Sequence, residues 1–272
     1  MLDVRVCCGA VGPLVRESVI CPEVHGESGL DGGSVEIADE LVDKIWVDEG
    51  KAVNVTFESI VSHGEPVTII ATGALTNIAL LLIVYPESRR FIKEIVLMGG
   101  AIGLGNTGPH AEFNIQVDPE AARVVFNSGV KVTMVPLEVT HTALVTADVL
   151  TRINALGEQS GFVKLMRELL VFFSDTYRTV FNFPDPPLHD PCAVLYVLDP
   201  TLFEERLMRV DVECGSDLTY GTTLCDVYNM SGKEKNVHVC SKMNVEAFWS
   251  AMIAALGEAN AVSPLNPEAR KK

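Results

Sequence analysis

The strongest constraint on the fold is an alternation of short β-branched runs with longer amphipathic stretches, which begins near residue 66. Residues 67–71 predict a buried strand, residues 78–85 a helix with Thr76 as its N-cap, and residues 93–98 the next strand. This order is typical of βαβ units, whose parallel strands are covered on both faces. We therefore predict an α/β fold with a mostly parallel open sheet and helices on both faces.

The second half of the chain continues the alternation. Asp118 and Pro119 predict the N-cap and first residue of a helix that Gly129 closes, and Thr146 predicts another N-cap. Asp190 and Pro191 repeat the acid-proline start. Further helices are predicted at 162–181, 192–198 and 245–256, and further strands at 4–8, 131–135, 207–214, 222–228 and 237–240. With no internal repeat or linker in view, residues 1–272 are predicted to form a single domain.

Composition excludes several classes of protein. Hydrophobic residues make up 48% of the chain and charged residues 21%, which is typical of a packed globule. A net charge of -15, with basic residues clustered only at 270–272, argues against a nucleic-acid partner. The longest apolar run, 78–85, is far shorter than the roughly 20 residues that span a bilayer. No signal peptide is evident at the start, so we expect no membrane partner and a cytoplasmic protein.

Glycines at 103, 105 and 108 match the GxGxxG pattern and follow a predicted strand. The pattern would favour a dinucleotide-dependent oxidoreductase, but Pro109 and a polar stretch stand where the helix of that motif should begin. The GxSxG, HExxH and Walker sequences are absent, which disfavours the commonest serine hydrolases, zinc proteases and nucleotide triphosphatases.

Polar residues follow the predicted strands at their carboxyl ends, where open α/β sheets bind ligands. Each has an ordinary structural interpretation as a turn, solvated loop or helix cap. Together they offer carboxylate, amide and carbonyl oxygens, which suit a hard cation and the hydroxyls of a sugar. They are Thr72, Asn106, Glu112, Asn114, His189 and Asp190, and the apolar Met98 and Phe113 stand beside them.

At these residues the chain resembles the inosine-uridine-preferring nucleoside hydrolases, in an ordered match from about residue 13 to the C-terminal helix. The resemblance implies hydrolysis of the N-glycosidic bond of a purine or pyrimidine ribonucleoside, giving base and ribose, at a bound Ca²⁺ in a homodimer or homotetramer. The matching segments are His25-Gly-Glu-Ser-Gly-Leu30, Thr72-Gly-Ala-Leu-Thr-Asn77, Val96-Leu-Met-Gly-Gly100, Ala111-Glu-Phe-Asn114 and His189-Asp-Pro191.

The resemblance also implies a role for each matching residue. The backbone carbonyl of Thr72 and the carboxylate of Asp190 are expected to bind calcium. His189 is expected to be the general acid that protonates the leaving base, a task suited to a group that titrates near neutrality. The expected substrate-binding residues are Met98, Asn106, Glu112, Phe113 and Asn114 on the sugar side, and His25 and Tyr177 on the base side.

One family feature is missing from the sequence. The family carries a D-x-D-x-G-x-D-D strand end that supplies most calcium ligands and the base that activates water, and the chain contains no such sequence. The resemblance therefore implies an N-terminally incomplete nucleoside hydrolase fold, and no Ca²⁺-dependent hydrolysis by the chain as numbered. An alternative interpretation is a non-catalytic, nucleoside-binding relative.

Overall fold

A computed structural model describes residues 5–21, 33–34 and 47–266. The chain forms two compact units. The first comprises Met1–Val19, Trp46–His141 and His189–Met243, and the second comprises Ile20–Ile45, Thr142–Leu188 and Asn244–Lys272. That all 272 residues form one domain stays a prediction.

The strands lie in the first unit. In chain order they are β1 (Val6–Cys7), β2 (Val47–Asp48), β3 (Val67–Ala71), β4 (Ile92–Met98), β5 (Val132–Val135), β6 (Phe203–Met208), β7 (Val210–Val212), β8 (Thr223–Cys225) and β9 (Val237–Met243). Five of them form the main sheet in the order β3-β4-β5-β9-β6. The first four are parallel, and β6 runs antiparallel to β9.

The described part of the chain contains nine α-helices. They are α1 (Ala52–His63), α2 (Thr76–Val84), α3 (Phe113–Val117), α4 (Pro119–Phe126), α5 (Leu137–Thr140), α6 (Ala147–Asn154), α7 (Gly161–Val180), α8 (Asp190–Leu198) and α9 (Val245–Val262). Helices α6, α7 and α9 belong to the second unit. Within 5–21, 33–34 and 47–266, no helix is both long and apolar enough to cross a membrane.

The core of the first unit is built on the central strands. All four residues of β5 and six of the seven residues of β4 are buried. Since neighbouring side chains of a strand point to opposite faces, both faces of the sheet are covered. The predicted α/β fold with a mostly parallel sheet is confirmed.

Several local predictions are confirmed and two are wrong. Asp118 caps α4 by accepting a hydrogen bond from Ala121 N at 3.0 Å, and Thr146 caps α6. Thr76 is not an N-cap, because α2 begins at Thr76 itself. The hydroxyl of Thr76 instead donates to the buried carboxylate of Asp118 at 2.6 Å. The predicted strand at 207–214 is two strands, since the chain leaves the main sheet at Arg209 and β7 pairs with β8.

Candidate active site

The carboxyl ends of β3, β4 and β5 lie at one edge of the sheet, because these strands are parallel neighbours. Thr72 follows β3 and is exposed, the loop at 99–112 follows β4, and α5 follows β5. The polar residues predicted from the sequence therefore converge on the edge where ligands bind in folds of this class.

A tight turn at Gly99 and Gly100 begins the loop after β4. Gly100 has a φ of 77°, and a Cβ atom there would lie 2.6 Å from Met134 Sδ. Only glycine fits both the left-handed backbone and the close approach. The turn aims the Gly100 amide at the carboxylate of Glu112, which accepts its hydrogen bond at 2.9 Å.

Glu112 is buried and holds the loop together. Its side chain is the N-cap of α3 and accepts hydrogen bonds from the amides of Asn114 at 2.9 Å and Ile115 at 3.2 Å. Burial raises the pKa of Glu112 to about 7, the nearby Asp190 carboxylate contributes to the rise, and the three backbone amides oppose it. A carboxyl group that titrates near neutrality is therefore built into the edge, in electrostatic reach of Asp190.

The other residues of the loop are fixed by one another. Asn114 Nδ2 donates to the backbone oxygen of Met98 at 3.1 Å and lies 3.4 Å from its sulfur. Asn106 Oδ1 accepts a hydrogen bond from Phe113 N at 3.0 Å. The structure thus brings together all five residues predicted for the sugar side.

His189 and Asp190 stand at the start of α8, which packs on β3 and β4. Asp190 was expected from the sequence to be an N-cap, and this is wrong because α8 begins at Asp190 and His189 takes the cap position. The Asp190 side chain reaches solvent, yet the surrounding protein desolvates its carboxylate and raises its pKa to about 6. A carboxylate at a helix N-terminus is favourably placed with respect to the helix dipole.

The imidazole of His189 is held by a hydrogen bond to the helix that follows β5. Its Nδ1 lies 2.8 Å from Thr140 Oγ1, at the end of α5. The ring of His141 meets that of His189 edge-on, with 5.6 Å between centroids. Burial lowers the pKa of His141, and Glu138 opposes this effect.

Three residues at the end of β5 were not predicted as site residues from the sequence: Glu138 and Thr140 of α5, and His141 directly after it. Glu138 accepts hydrogen bonds from the amides of Ile102 at 3.0 Å and Gly103 at 2.8 Å, and so fixes the loop that carries Asn106. The signal was present, since Glu138, Thr140 and His141 directly follow the predicted strand at 131–135 and occupy the same kind of position as Thr72.

Two residues, His25 and Tyr177, were predicted for the base side from the family resemblance. His25 lies outside the described residues. Tyr177 belongs to α7 of the second unit, where its buried ring packs 5.0 Å from that of Phe181 and 6.2 Å from that of Phe183. Their expected roles stay predictions.

The described residues offer few ligands for a metal ion. Among residues 5–21, 33–34 and 47–266, no group of three or more His, Cys, Asp or Glu side chains could hold an ion. Thr72 and Asp190 supply two oxygen ligands, whereas Ca²⁺ takes 6 to 8. These two residues alone do not make a complete calcium site.

Comparison with known proteins gives a consistent result. Residues 1–250 match the family described as inosine-uridine preferring nucleoside hydrolase. A probable ribonucleoside hydrolase of Dictyostelium discoideum is 46% identical over 262 residues, which cover 93% of this chain and 76% of that protein. A pyrimidine-specific ribonucleoside hydrolase of Shewanella sp. (strain ANA-3) is 42% identical over 255 residues, with 93% and 78% covered.

A solved structure is similar as well. The purine-preferring ribonucleoside hydrolase from Gardnerella vaginalis superposes with a TM-score of 0.84 at 29% identity. The alignment covers 96% of this chain and 82% of that one. Sequence and fold therefore point to the same group of enzymes.

Proposed function

The chain belongs to the inosine-uridine preferring nucleoside hydrolase family and is therefore a ribonucleoside hydrolase, and we propose that the carboxyl edge of β3, β4 and β5 is its active site. The reaction adds water across the N-glycosidic bond and yields free base and ribose. The observation that carries the proposal is the convergence of Glu112, Asn114, His189 and Asp190 on one sheet edge.

The loop at 99–117 binds the ribose. Asn106, Glu112 and Asn114 are fixed by hydrogen bonds to backbone groups, and their oxygens can accept hydrogen bonds from the sugar hydroxyls. Met98 and Phe113 are proposed as the apolar contacts of the ribose. Because bond breaking builds positive charge on the sugar ring, carboxylates beside the ring stabilise the transition state.

His189 lies on the base side and donates a proton to the departing base. An imidazole is suited to this task because it titrates near neutral pH. Protonation of the base relieves the negative charge that the broken bond leaves on it. His25 and Tyr177 complete the base side in this proposal.

Calcium is the proposed metal, with the Thr72 carbonyl and the Asp190 carboxylate among its ligands. When bound, a divalent cation held by these residues would polarise the attacking water and orient the sugar. Asp190→Asn should weaken Ca²⁺ binding, measured by isothermal titration, because it replaces a charged ligand by a neutral one. Equal Ca²⁺ affinity in both proteins would remove Asp190 from the ligand set. The sequence-based expectation of no Ca²⁺-dependent hydrolysis is the opposite of this proposal and stays a prediction. Adding Ca²⁺ or chelator to the assay below distinguishes the two.

The substrates proposed are purine and pyrimidine ribonucleosides, since relatives of both preferences are similar to the chain. A homodimer or homotetramer in the cytoplasm is proposed as the working form, without a nucleic-acid or membrane partner.

A second candidate function is non-catalytic nucleoside binding, which the incomplete ligand set of the described residues favours. One experiment separates the two: ribose release from inosine and uridine is measured beside calorimetric nucleoside binding on the same preparation of residues 1–272. Ribose release above the rate without protein supports the hydrolase. Binding without release supports the second candidate, and neither binding nor release contradicts the proposed site.

A further inference from the structure

Thr140 is a fully buried residue to which the family resemblance assigns no role. It ends α5, and its backbone is fixed by a hydrogen bond from its amide to the Pro136 carbonyl at 3.1 Å. The first residue of the helix, Leu137, donates to the Gly100 carbonyl at 3.0 Å. The hydroxyl of Thr140 is therefore held at a fixed point relative to both β5 and the loop after β4.

That hydroxyl meets the ring of His189 at one particular atom. Oγ1 of Thr140 lies 2.8 Å from Nδ1, within hydrogen-bond distance. A hydroxyl carries one proton and two lone pairs, so it can donate to a bare Nδ1 or accept from a protonated one. In either role the hydroxyl bonds to Nδ1, so the position of Thr140 sets the orientation of the imidazole.

We infer that Thr140 is a positioning residue that fixes the ring of His189 so that Nε2 is presented to the leaving base. The inference rests on the proposed function, because it matters for the reaction only if His189 is the acid. The edge-on ring of His141, at 5.6 Å, restrains the imidazole on another side. Two contacts thus restrict rotation of a side chain that, at the cap of α8, makes no capping bond to its own helix.

The kinetic test replaces the hydroxyl by a methyl group in Thr140→Val and compares two substrates. Uridine needs a protonated leaving group, whereas an activated aryl riboside does not. We expect Thr140→Val to slow uridine hydrolysis about 10-fold or more, but by less than the roughly 10² to 10⁴-fold expected for His189→Ala. Hydrolysis of the aryl riboside should change far less. Thr140→Ser, which keeps the hydroxyl, should restore the uridine rate.

Thr133→Val is the matched control. Thr133 is equally buried, but it lies within β5, where its Cα pairs with that of His238. The same isosteric change there should affect both substrates equally. If Thr140→Val also slows both substrates equally, or matches Thr133→Val, the inference is overturned.

A spectroscopic test does not depend on turnover. Long-range ¹⁵N–¹H spectra of the imidazoles report which nitrogen carries the proton. We expect Thr140→Val to move the Nδ1 resonance of His189, and Thr140→Ser and Thr133→Val to leave it in place. An unmoved resonance in Thr140→Val overturns the inference. If the resonance moves while His189→Ala slows both substrates equally, the positioning stands and the proposed acid role of His189 fails.

Discussion

The free energy of unfolding should depend on pH through Glu112. This carboxyl is 2% exposed, and burial raises its pKa from 4.5 to about 7. The folded chain therefore binds a proton that the unfolded chain releases at lower pH. The stabilisation from this proton is fully present below pH 4.5 and is lost as the pH rises through 7. The whole shift corresponds to about 3 kcal/mol, of which about 2.5 kcal/mol falls between pH 5 and pH 8.

Glu112→Gln removes this titration and serves as the perturbation. The amide cannot accept all three backbone hydrogen bonds through oxygen, so the substitution itself should cost about 1 to 3 kcal/mol, and the titration of Glu112 in the wild type adds to this cost a difference that varies with pH. The offset does not depend on pH, so the difference in slope isolates the titration. Urea unfolding followed by circular dichroism at pH 5, 6, 7 and 8 measures both terms.

The same substitution at the exposed Glu87 controls for the loss of one charge. After its profile is subtracted, the wild type should lose about 2 to 3 kcal/mol relative to Glu112→Gln between pH 5 and pH 8. Parallel profiles would refute the reasoning, because they would mean that Glu112 is ionised in the folded protein throughout this range.

Two further predictions concern the framework of the site. Gly100→Ala should lower the free energy of unfolding by about 2 kcal/mol or more, because it adds a clash with Met134 to a left-handed backbone. The control Gly129→Ala, at a φ of 79° with open space around it, should cost only about 1 kcal/mol. Equal stability of the two variants in thermal and urea unfolding would contradict the clash. Asp118→Ala should cost about 3 kcal/mol or more, because it leaves the hydrogen-bond donors of Leu14, Thr76 and Ala121 without their acceptor. A loss no greater than that of Thr76→Val in the same urea titration would show that the carboxylate network contributes little.

Much of the fold could be predicted because local signals and the hydrophobic pattern agree along the central strands. The run 67–71 and the Asp118-Pro119 helix start coincide with the observed elements, since each depends on neighbours in the sequence. Thr76 shows the limit of this approach. Threonine is a common N-cap residue, but the hydroxyl of Thr76 donates its hydrogen bond to the buried Asp118, which is distant in sequence.

The site residues that directly follow a strand could be predicted from the sequence. The resemblance supplied Glu112, Asn114 and His189, and the structure adds that Glu112 also closes the loop onto Gly100. Thr140 could not be assigned a partner, because its hydrogen bond joins residues 49 positions apart and depends on where α8 begins. Tertiary contacts of this kind have no local sequence signature.

The most direct measurement of the central claim is ribose release by the wild-type chain and by His189→Ala, with uridine and inosine as substrates. If the edge of β3, β4 and β5 is the active site and His189 protonates the base, the wild type should release ribose from at least one of the two. His189→Ala should then lower kcat/KM by about 10² to 10⁴-fold with its melting temperature nearly unchanged. An equal kcat/KM in the two proteins, or nucleoside binding by the wild type with no ribose released, would contradict the account.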